Sequence, residues 1–161
     1  MIRKENQMSH IEIDLIKNKV IKSKIFISFF LFFIIGWFII WFQIDFSLLT
    51  NVLGIILTLF ILILIVIVYK KSIDTKKDLE KKIKISDNLK IINKYTERTG
   101  RSYNYLIILE SNEIKKYQLK QDVYKKIQIN DIINIEYSKF ARWILKIEHN
   151  GENIANKDII S

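Results

Sequence analysis

Two apolar runs separated by a short link constrain this chain more than any other feature. Residues 25–42 are eighteen uncharged residues, residues 47–69 are twenty-three, and Asp45 in the link is the only charge in the whole block. A helix needs roughly 20 apolar residues to cross a hydrocarbon core about 30 Å thick. Because backbone polar groups must be satisfied internally in lipid, the β-branched second run is also predicted to be helical. The sequence therefore predicts a transmembrane helical hairpin with its turn at residues 43–46.

The net charge of +9 lies on the two flanks of this block. Residues 1–24 hold six basic and three acidic residues, and residues 70–161 hold twenty basic and thirteen acidic residues. The positive-inside rule then predicts that both termini are cytoplasmic. The abundance of Ile, Lys and Asn suggests an AT-rich bacterial genome, which predicts a bacterial inner membrane. The basic flanks are expected to contact anionic lipid at the inner face, or to serve only as topology determinants. The lysines assigned to this lipid interface are Lys17, Lys19, Lys22, Lys24, Lys70, Lys71, Lys76, Lys77, Lys81, Lys82 and Lys84.

The N-terminal arm, residues 1–24, allows two structures. Ile13, Ile16 and Val20 fall at helical spacing, which predicts a short amphipathic helix on the membrane surface. Residues 11–15 also alternate between apolar and acidic side chains, which leaves a strand open. The helix is the favoured interpretation.

Residues 70–85 are predicted to continue the second helix as a cationic juxtamembrane segment. Asp74 and Lys77 are placed for an i,i+3 ion pair, and Asp78 and Lys82 for an i,i+4 pair. Such pairs support the continuation of the helix beyond the membrane.

From residue 86 to residue 161 the apolar period changes to two, which is typical of strands. Strands are predicted at residues 89–95, 103–109, 114–119, 131–137, 142–148 and 152–154, with residues 120–130 as a connector. Asn150 and Gly151 predict a type I′ hairpin turn. Five or six short strands favour a small closed antiparallel β-barrel, because closure removes exposed edges. The predicted fold class is thus a transmembrane helical hairpin followed by a cytosolic five- to six-stranded barrel.

One segment of the predicted barrel resembles a known pattern. Residues 124–135 read YKKIQINDIINI, similar to the I-x-x-G-D-x-V-x-V segment of small OB-like and SH3-like barrels. Bacterial membrane proteins of the NfeD group carry such a barrel after their transmembrane helices. The resemblance covers about twenty-five residues, as far as Ile147, and it implies a barrel corner. Asn130 stands where the pattern has glycine, and it is therefore expected to adopt a left-handed conformation.

The sequence contains no recognisable catalytic or cofactor motif. It has no cysteine and four glycines, which argues against thiolate chemistry and a phosphate-binding glycine loop. His10 and His149 lack ligand-spaced partners, so neither is assigned to a metal. No catalytic residue, cofactor or metal is expected, and the chain is interpreted as a non-enzyme.

Some polar and small residues outside the flanks remain as candidate sites. Gly36, Asn51 and Gly54 are assigned to helix packing within the hairpin. Tyr117 is in phase with the buried face of its strand, which disfavours nucleic-acid stacking beside the nearby lysines. The candidate surface for a ligand or partner comprises Lys115, Lys116, Lys120, Lys125 and Lys126.

Two functions fit this layout best, and a membrane-tethered enzyme is a third possibility. The favoured one is a membrane-anchored accessory or scaffold protein that presents its β-domain to a protein partner, to another copy or to the inner membrane surface. The alternative is a ligand-responsive effector, in which the barrel binds an anionic small molecule such as a nucleotide and oligomerised hairpins perturb the membrane. That layout resembles bacterial antiphage effectors that combine two transmembrane helices with a β-barrel.

Overall fold

The computed structural model describes residues 3–43 and 48–155. Residues 44–46 of the predicted turn, Ser47 and the last six residues of the predicted β-domain lie outside the described residues. Within these limits the chain forms two long helices followed by an antiparallel sheet, which confirms the predicted order of helical and β parts.

The first apolar run forms the C-terminal part of a long helix, α1 (His10–Gln43), and the second forms the N-terminal part of another, α2 (Leu48–Lys81). Each has 34 residues, so each is about 51 Å long at about 1.5 Å per residue. Both are long and apolar enough to cross a membrane, and their most apolar windows are only 0% and 6% buried in the protein. They are therefore not core helices of the described β-domain.

Helix α1 begins much earlier than the apolar run, and a capping box explains its start. The backbone N–H of Glu12 donates to the hydroxyl of Ser9, and the backbone N–H of Ser9 donates to the carboxylate of Glu12. This reciprocal pattern satisfies two orphan donors at a helix start. The predicted arm helix and first span are consequently one continuous helix. Before it, β1 (Lys4–Gln7) adds a strand that the sequence did not predict.

The described part of the chain contains a seven-stranded antiparallel sheet. After α2 the elements are β2 (Ile83–Thr99), β3 (Ser102–Leu109), β4 (Lys116–Leu119), α3 (Gln121–Lys126), β5 (Ile132–Ser138), β6 (Ile144–His149) and β7 (Glu152–Asn153). One edge of the long strand β2 pairs with β1 and then with β3, and its other edge pairs with β5. The pairing order along the sheet is β4-β3-β2-β5-β6-β7.

The predicted barrel is wrong, because the sheet is open. Closure would need two free edges of similar length, but β4 has four residues and β7 has two. Short edge strands limit further pairing without closure. Val123 and Tyr124 of α3, and Ile127 after it, pack against the apolar core of this open sheet. The predicted connector at 120–130 thus contains a helix that contributes to the core.

One apolar core joins the strands that pair with β2 on either side of a bulge. A bulge between Ile91 and Asn93 interrupts the β2–β3 register, and bulges bend strands. Side chains from both sides of it, including Leu89 and Ile107, belong to the same buried cluster. Lys94 of β2 stabilises the C-terminal end of α3, because its ammonium donates to the carbonyls of Tyr124 and Ile127.

Two turn predictions are confirmed by backbone conformation. Asn150 and Gly151 have φ of 52° and 82°, as a type I′ turn requires. Asn130 has φ of 76°, so asparagine does occupy the left-handed position where the related pattern has glycine.

Candidate functional site

The helices enter the sheet through very short connections, and this joint positions the candidate site. Only Met8 and Ser9 separate β1 from α1, and only Lys82 separates α2 from β2. Lys82 takes the left-handed conformation, with φ of 56°, and its carbonyl accepts the N–H of Met8 at 2.8 Å. Helix α2 therefore ends at Lys81, and residues 83–85 of the predicted juxtamembrane helix already belong to β2.

A buried carboxylate fixes α2 to the loop between β5 and β6. Asp78 is 0% exposed, and it accepts backbone N–H groups from Phe140 and Ala141, both at 2.8 Å. The predicted pair between Asp78 and Lys82 is therefore wrong: the carboxylate serves as an acceptor for a neighbouring loop. The predicted pair between Asp74 and Lys77 is confirmed at 3.4 Å.

Trp143 packs against α2 beside this carboxylate. Its indole Nε1 donates to the hydroxyl of Thr75 at 3.0 Å. The ammonium groups of Lys71 and Lys19 lie 4.1 Å and 5.4 Å from its ring centroid. Cation–π contacts of this kind favour one ring orientation. Trp143 thus contacts both helices just beyond their apolar runs.

A second, smaller apolar cluster lies inside the joint. Its buried members come from the β1–α1 link, the first turns of α1 and β6, namely Met8, Ile13, Ile16 and Leu145, and Leu79 of α2 packs against them. Ile13 and Ile16 belong to the apolar face that predicted an amphipathic helix on the membrane surface. Both side chains are buried in this cluster, so they pack against protein.

A three-way ion network ties α1 to the sheet. The ammonium of Lys84 lies 2.8 Å from carboxylates of both Glu12 and Glu136. Partial burial disfavours the charge on Lys84, but these two hydrogen bonds outweigh it and raise the pKa of Lys84. The structure therefore places Lys84 in the joint, whereas the sequence assigned it to the lipid interface.

A cationic cleft of about 860 Å³ opens between α2 and two loops of the sheet. We define the cationic cleft by its basic side chains, which come from α2 just after its apolar run, from the β3–β4 loop with the first residue of β4, and from the β5–β6 loop. These are Lys70, Lys71, Lys115, Lys116 and Arg142. The sequence had assigned the first four to separate surfaces, and the fold brings them together. Ile67, inside the apolar run, also lines the cleft.

The acidic side chains of the cleft are already engaged. Glu113 lies 3.1 Å from the guanidinium of Arg3 and accepts the hydroxyl of Tyr137 at 2.7 Å. Burial disfavours its charge, but these partners outweigh burial and lower the pKa of Glu113. Burial and the Glu113 carboxylate raise the pKa of Tyr137. Asp74 pairs with Lys77.

Most basic side chains of the cleft are outside salt bridges, although the charge of Arg142 helps to lower the pKa of Glu113. Within residues 3–43 and 48–155, Lys70, Lys115, Lys116 and Arg142 form no salt bridge. Arg142 has φ of 58°, a conformation that costs a side-chain-bearing residue about 1 kcal/mol or more. The loop that presents Arg142 is nevertheless held by Asp78 and by the hydroxyl of Ser138, which accepts the N–H of Trp143 at 2.9 Å.

The other predicted site residues lie outside the cleft. Lys120, Lys125 and Lys126 lie at or in α3, on exposed positions. Lys76, Lys77 and Lys81 are exposed along α2, and Lys17, Lys22 and Lys24 along α1. His149 Nε2 lies 3.0 Å from Asp131, and no group of residues suited to hold a metal occurs in the described ranges.

The predicted helix-packing residues show different surroundings. A Cβ added at Gly36 would meet no atom within 4 Å, so no close approach of described residues requires glycine there. Gly54 is buried, and its carbonyl accepts the hydroxyl of Thr58 at 2.8 Å. Asn51 is half-buried. Their role in helix packing stays a prediction.

Several site residues were missed at the sequence level. The spacing Ser9-x-x-Glu12 is a capping-box signature that could have predicted the start of α1. Asp78, Trp143 and Arg142 carry no comparable local signal, because their roles depend on a loop that is about sixty residues distant from α2 in sequence.

Fold and site together define a class of protein in which two long apolar helices are joined by links of one and two residues to an open antiparallel sheet, with a cationic cleft at the joint. No protein-family model, curated protein or solved structure matches the chain. The likeness to the NfeD group therefore stays an expectation, limited to the order of helices and sheet.

Proposed function

We propose that this chain is a non-enzymatic membrane scaffold. In this proposal α1 and α2 span the inner membrane of a bacterium, both termini are cytoplasmic, and the β-domain lies at the inner face. The rigid joint is the observation that carries it. A domain connected by one and two residues, and tied by the buried Asp78, keeps a fixed height and orientation relative to the helices.

An exposed apolar patch supports a protein partner for this domain. Ile92, Ile129 and Ile132 are 49%, 50% and 62% exposed. The register places them around the β2 bulge, because Ile91 bonds to the backbone of Asn130 and Asp131 and Lys90 lies opposite Ile132. We call Ile92, Ile129 and Ile132 the isoleucine patch. Apolar side chains exposed together often mark an interaction surface.

The topology part is tested by cysteine labelling, since the chain contains no cysteine. An Arg101→Cys variant, at the β2–β3 turn, should react with a membrane-impermeant maleimide only after the cells are permeabilised. An Asp45→Cys variant should react in cells whose outer envelope alone has been opened. Labelling of Arg101→Cys in intact cells would overturn the proposed orientation.

The scaffold part is tested by purification in mild detergent from the native host, followed by mass spectrometry. A protein that accompanies the unaltered chain should be lost with Ile132→Lys and retained with Tyr103→Lys. Tyr103 is a suitable control because it is also exposed, at 55%, but lies away from the isoleucine patch on β3. Retention of every partner by Ile132→Lys would contradict the scaffold proposal.

A ligand-responsive membrane effector is the second candidate, and the cationic cleft favours it. An anion bound between α2 and the sheet would contact α2 directly, at the end of its apolar run. The two functions differ in cells: an effector should make the membrane leaky when the chain is overproduced or when a cyclic nucleotide is supplied, whereas a scaffold should not.

A further inference from the structure

We propose that the cationic cleft binds the phosphate group of an anionic lipid, a phosphodiester at the level of the head groups. The inference rests on the proposed membrane anchorage, and it assigns to the β-domain a specific lipid contact beyond general attraction of basic flanks. Three features of the cleft support this contact: its height, its charge and its construction from three separate segments.

The height of the cleft matches the head-group layer. Its wall on α2 runs from Ile67, inside the apolar run, to Lys70 and Asp74. The apolar run ends at Tyr69, so the cleft begins where hydrocarbon gives way to polar head groups. The polar interfacial layer is about 5–8 Å deep on each side of the hydrocarbon core. Four residues of helix, from Lys70 to Ile73, cover about 6 Å of it. A head-group phosphate therefore lies within reach without deforming the bilayer.

The charge of the cleft matches a phosphodiester. Five basic side chains line it, and its two acidic ones, Glu113 and Asp74, are already paired. Arg142 can bind two phosphate oxygens in a forked geometry, while lysines act as point charges. Lys71 already lies over Trp143, which leaves Lys70, Lys115, Lys116 and Arg142 for the anion.

The construction of the cleft sets it apart from a solvated row of lysines. Lys115 and Lys116 follow the β3–β4 turn, in which the hydroxyl of Ser111 accepts the N–H groups of Glu113 and Ile114 at 3.1 and 3.2 Å. Arg142 is presented by a loop anchored on Asp78. A local turn thus orders the backbone before Lys115 and Lys116, and a contact distant in sequence orders the Arg142 loop, before any ligand binds. Such preorganisation reduces the ordering cost of binding.

The test uses the full chain in lipid nanodiscs with a fluorophore on Asn112→Cys, a cleft position without charge. Dioleoylphosphatidylglycerol is titrated into phosphatidylcholine discs at fixed ionic strength. The Lys115→Gln/Lys116→Gln variant should bind this lipid about 30-fold more weakly, since each near-surface lysine contributes about 1 kcal/mol. The matched control, Lys125→Gln/Lys126→Gln, removes the same charge from α3. It should change binding less than about threefold, because α3 begins about 10 Å further along β4, a Debye length away.

The outcomes separate the sources of the phosphate. Loss of saturable binding in the cleft variant, with binding kept in the control, supports the proposal. Equal weakening in both variants overturns it, because general surface charge would then explain lipid attraction. A second titration adds inorganic phosphate to discs of pure phosphatidylcholine. A response there that anionic lipid does not reproduce would overturn the lipid assignment and indicate a soluble phosphate. Failure of the chain to insert into discs at all would instead contradict the membrane anchorage.

Discussion

The buried carboxylate of Asp78 offers the sharpest test of the rigid joint. It accepts two backbone N–H groups, from Phe140 and Ala141, at 2.8 Å each. An Asp78→Ala variant removes both acceptors at once. A buried donor left without a partner costs about 1–3 kcal/mol. One of the two is only partly buried, so we expect the joint to be weakened by about 3 kcal/mol, a change of about 10²-fold in its opening equilibrium.

Opening of the joint can be measured by thiol labelling. Ala141→Cys places a thiol at a position that is 7% exposed, in a chain without native cysteine. When closing is faster than modification, the maleimide reaction rate tracks the equilibrium population of the open form. Adding Asp78→Ala should therefore raise the rate about 10²-fold. An Arg101→Cys reporter at an exposed turn supplies the unprotected rate and should be unaffected.

The matched control is Asp74→Ala, one turn earlier on α2. Asp74 makes a half-exposed ion pair with Lys77 at 3.4 Å, and such pairs contribute less than about 1 kcal/mol. Its loss should change the labelling rate of Ala141→Cys only a few-fold. If Asp78→Ala accelerates labelling no more than Asp74→Ala does, the buried carboxylate does not hold the joint and the argument for a rigid scaffold is refuted.

Two further predictions follow from the described contacts. Because Arg3 and Tyr137 lower the pKa of Glu113, its contribution to stability is present above the unfolded value of 4.5 and lost as pH falls through the lowered folded value. Thermal melting followed by circular dichroism should show that Glu113→Gln is less stable than the unaltered chain at pH 7. Its stability should also fall less on acidification than that of the unaltered chain, and parallel curves of stability against pH would contradict this role. Ser9→Ala should destabilise the start of α1 by about 1 kcal/mol, while Ser9→Asp preserves the cap. Hydrogen exchange at residues 10–13 measures the difference, and equal protection in both variants would exclude the capping box as its cause.

The parts of the fold that depend on local patterns were predictable from the sequence. The two helices follow from the length of the apolar runs and from the cost of unpaired backbone groups in lipid. The strands follow from alternation, and the conformations of Asn130 and Asn150 follow from the limited set of residues that tolerate positive φ. These features depend on neighbours in sequence, so a sequence pattern can report them.

The closure of the sheet and the construction of the joint were not predictable in this way. Whether a sheet closes depends on the lengths of its edge strands, and β7 has only two residues. The segment at 120–130 was assigned as a connector, yet α3 brings Val123 and Tyr124 onto the core. Asp78 fits an exposed ion pair equally well by spacing, and only the distant β5–β6 loop makes it a buried acceptor.

The same distant contacts determine what the helices and the sheet can transmit to each other. Strands β1 and β2 form an antiparallel pair, with Gln7 opposite Ile83, and the helices continue from this pair after two residues and one residue. A rotation of α2 against α1 must therefore break either β1–β2 pairing, the Lys84 network or the Asp78 contacts. Because the Lys84 network is largely buried and Asp78 is fully buried, the β-domain and the adjoining ends of the helices should move as one body. A phosphate bound in the cationic cleft would consequently add one more contact between α2 and the sheet, whose relative orientation the other contacts already determine. It would hold the isoleucine patch at one height above the lipid.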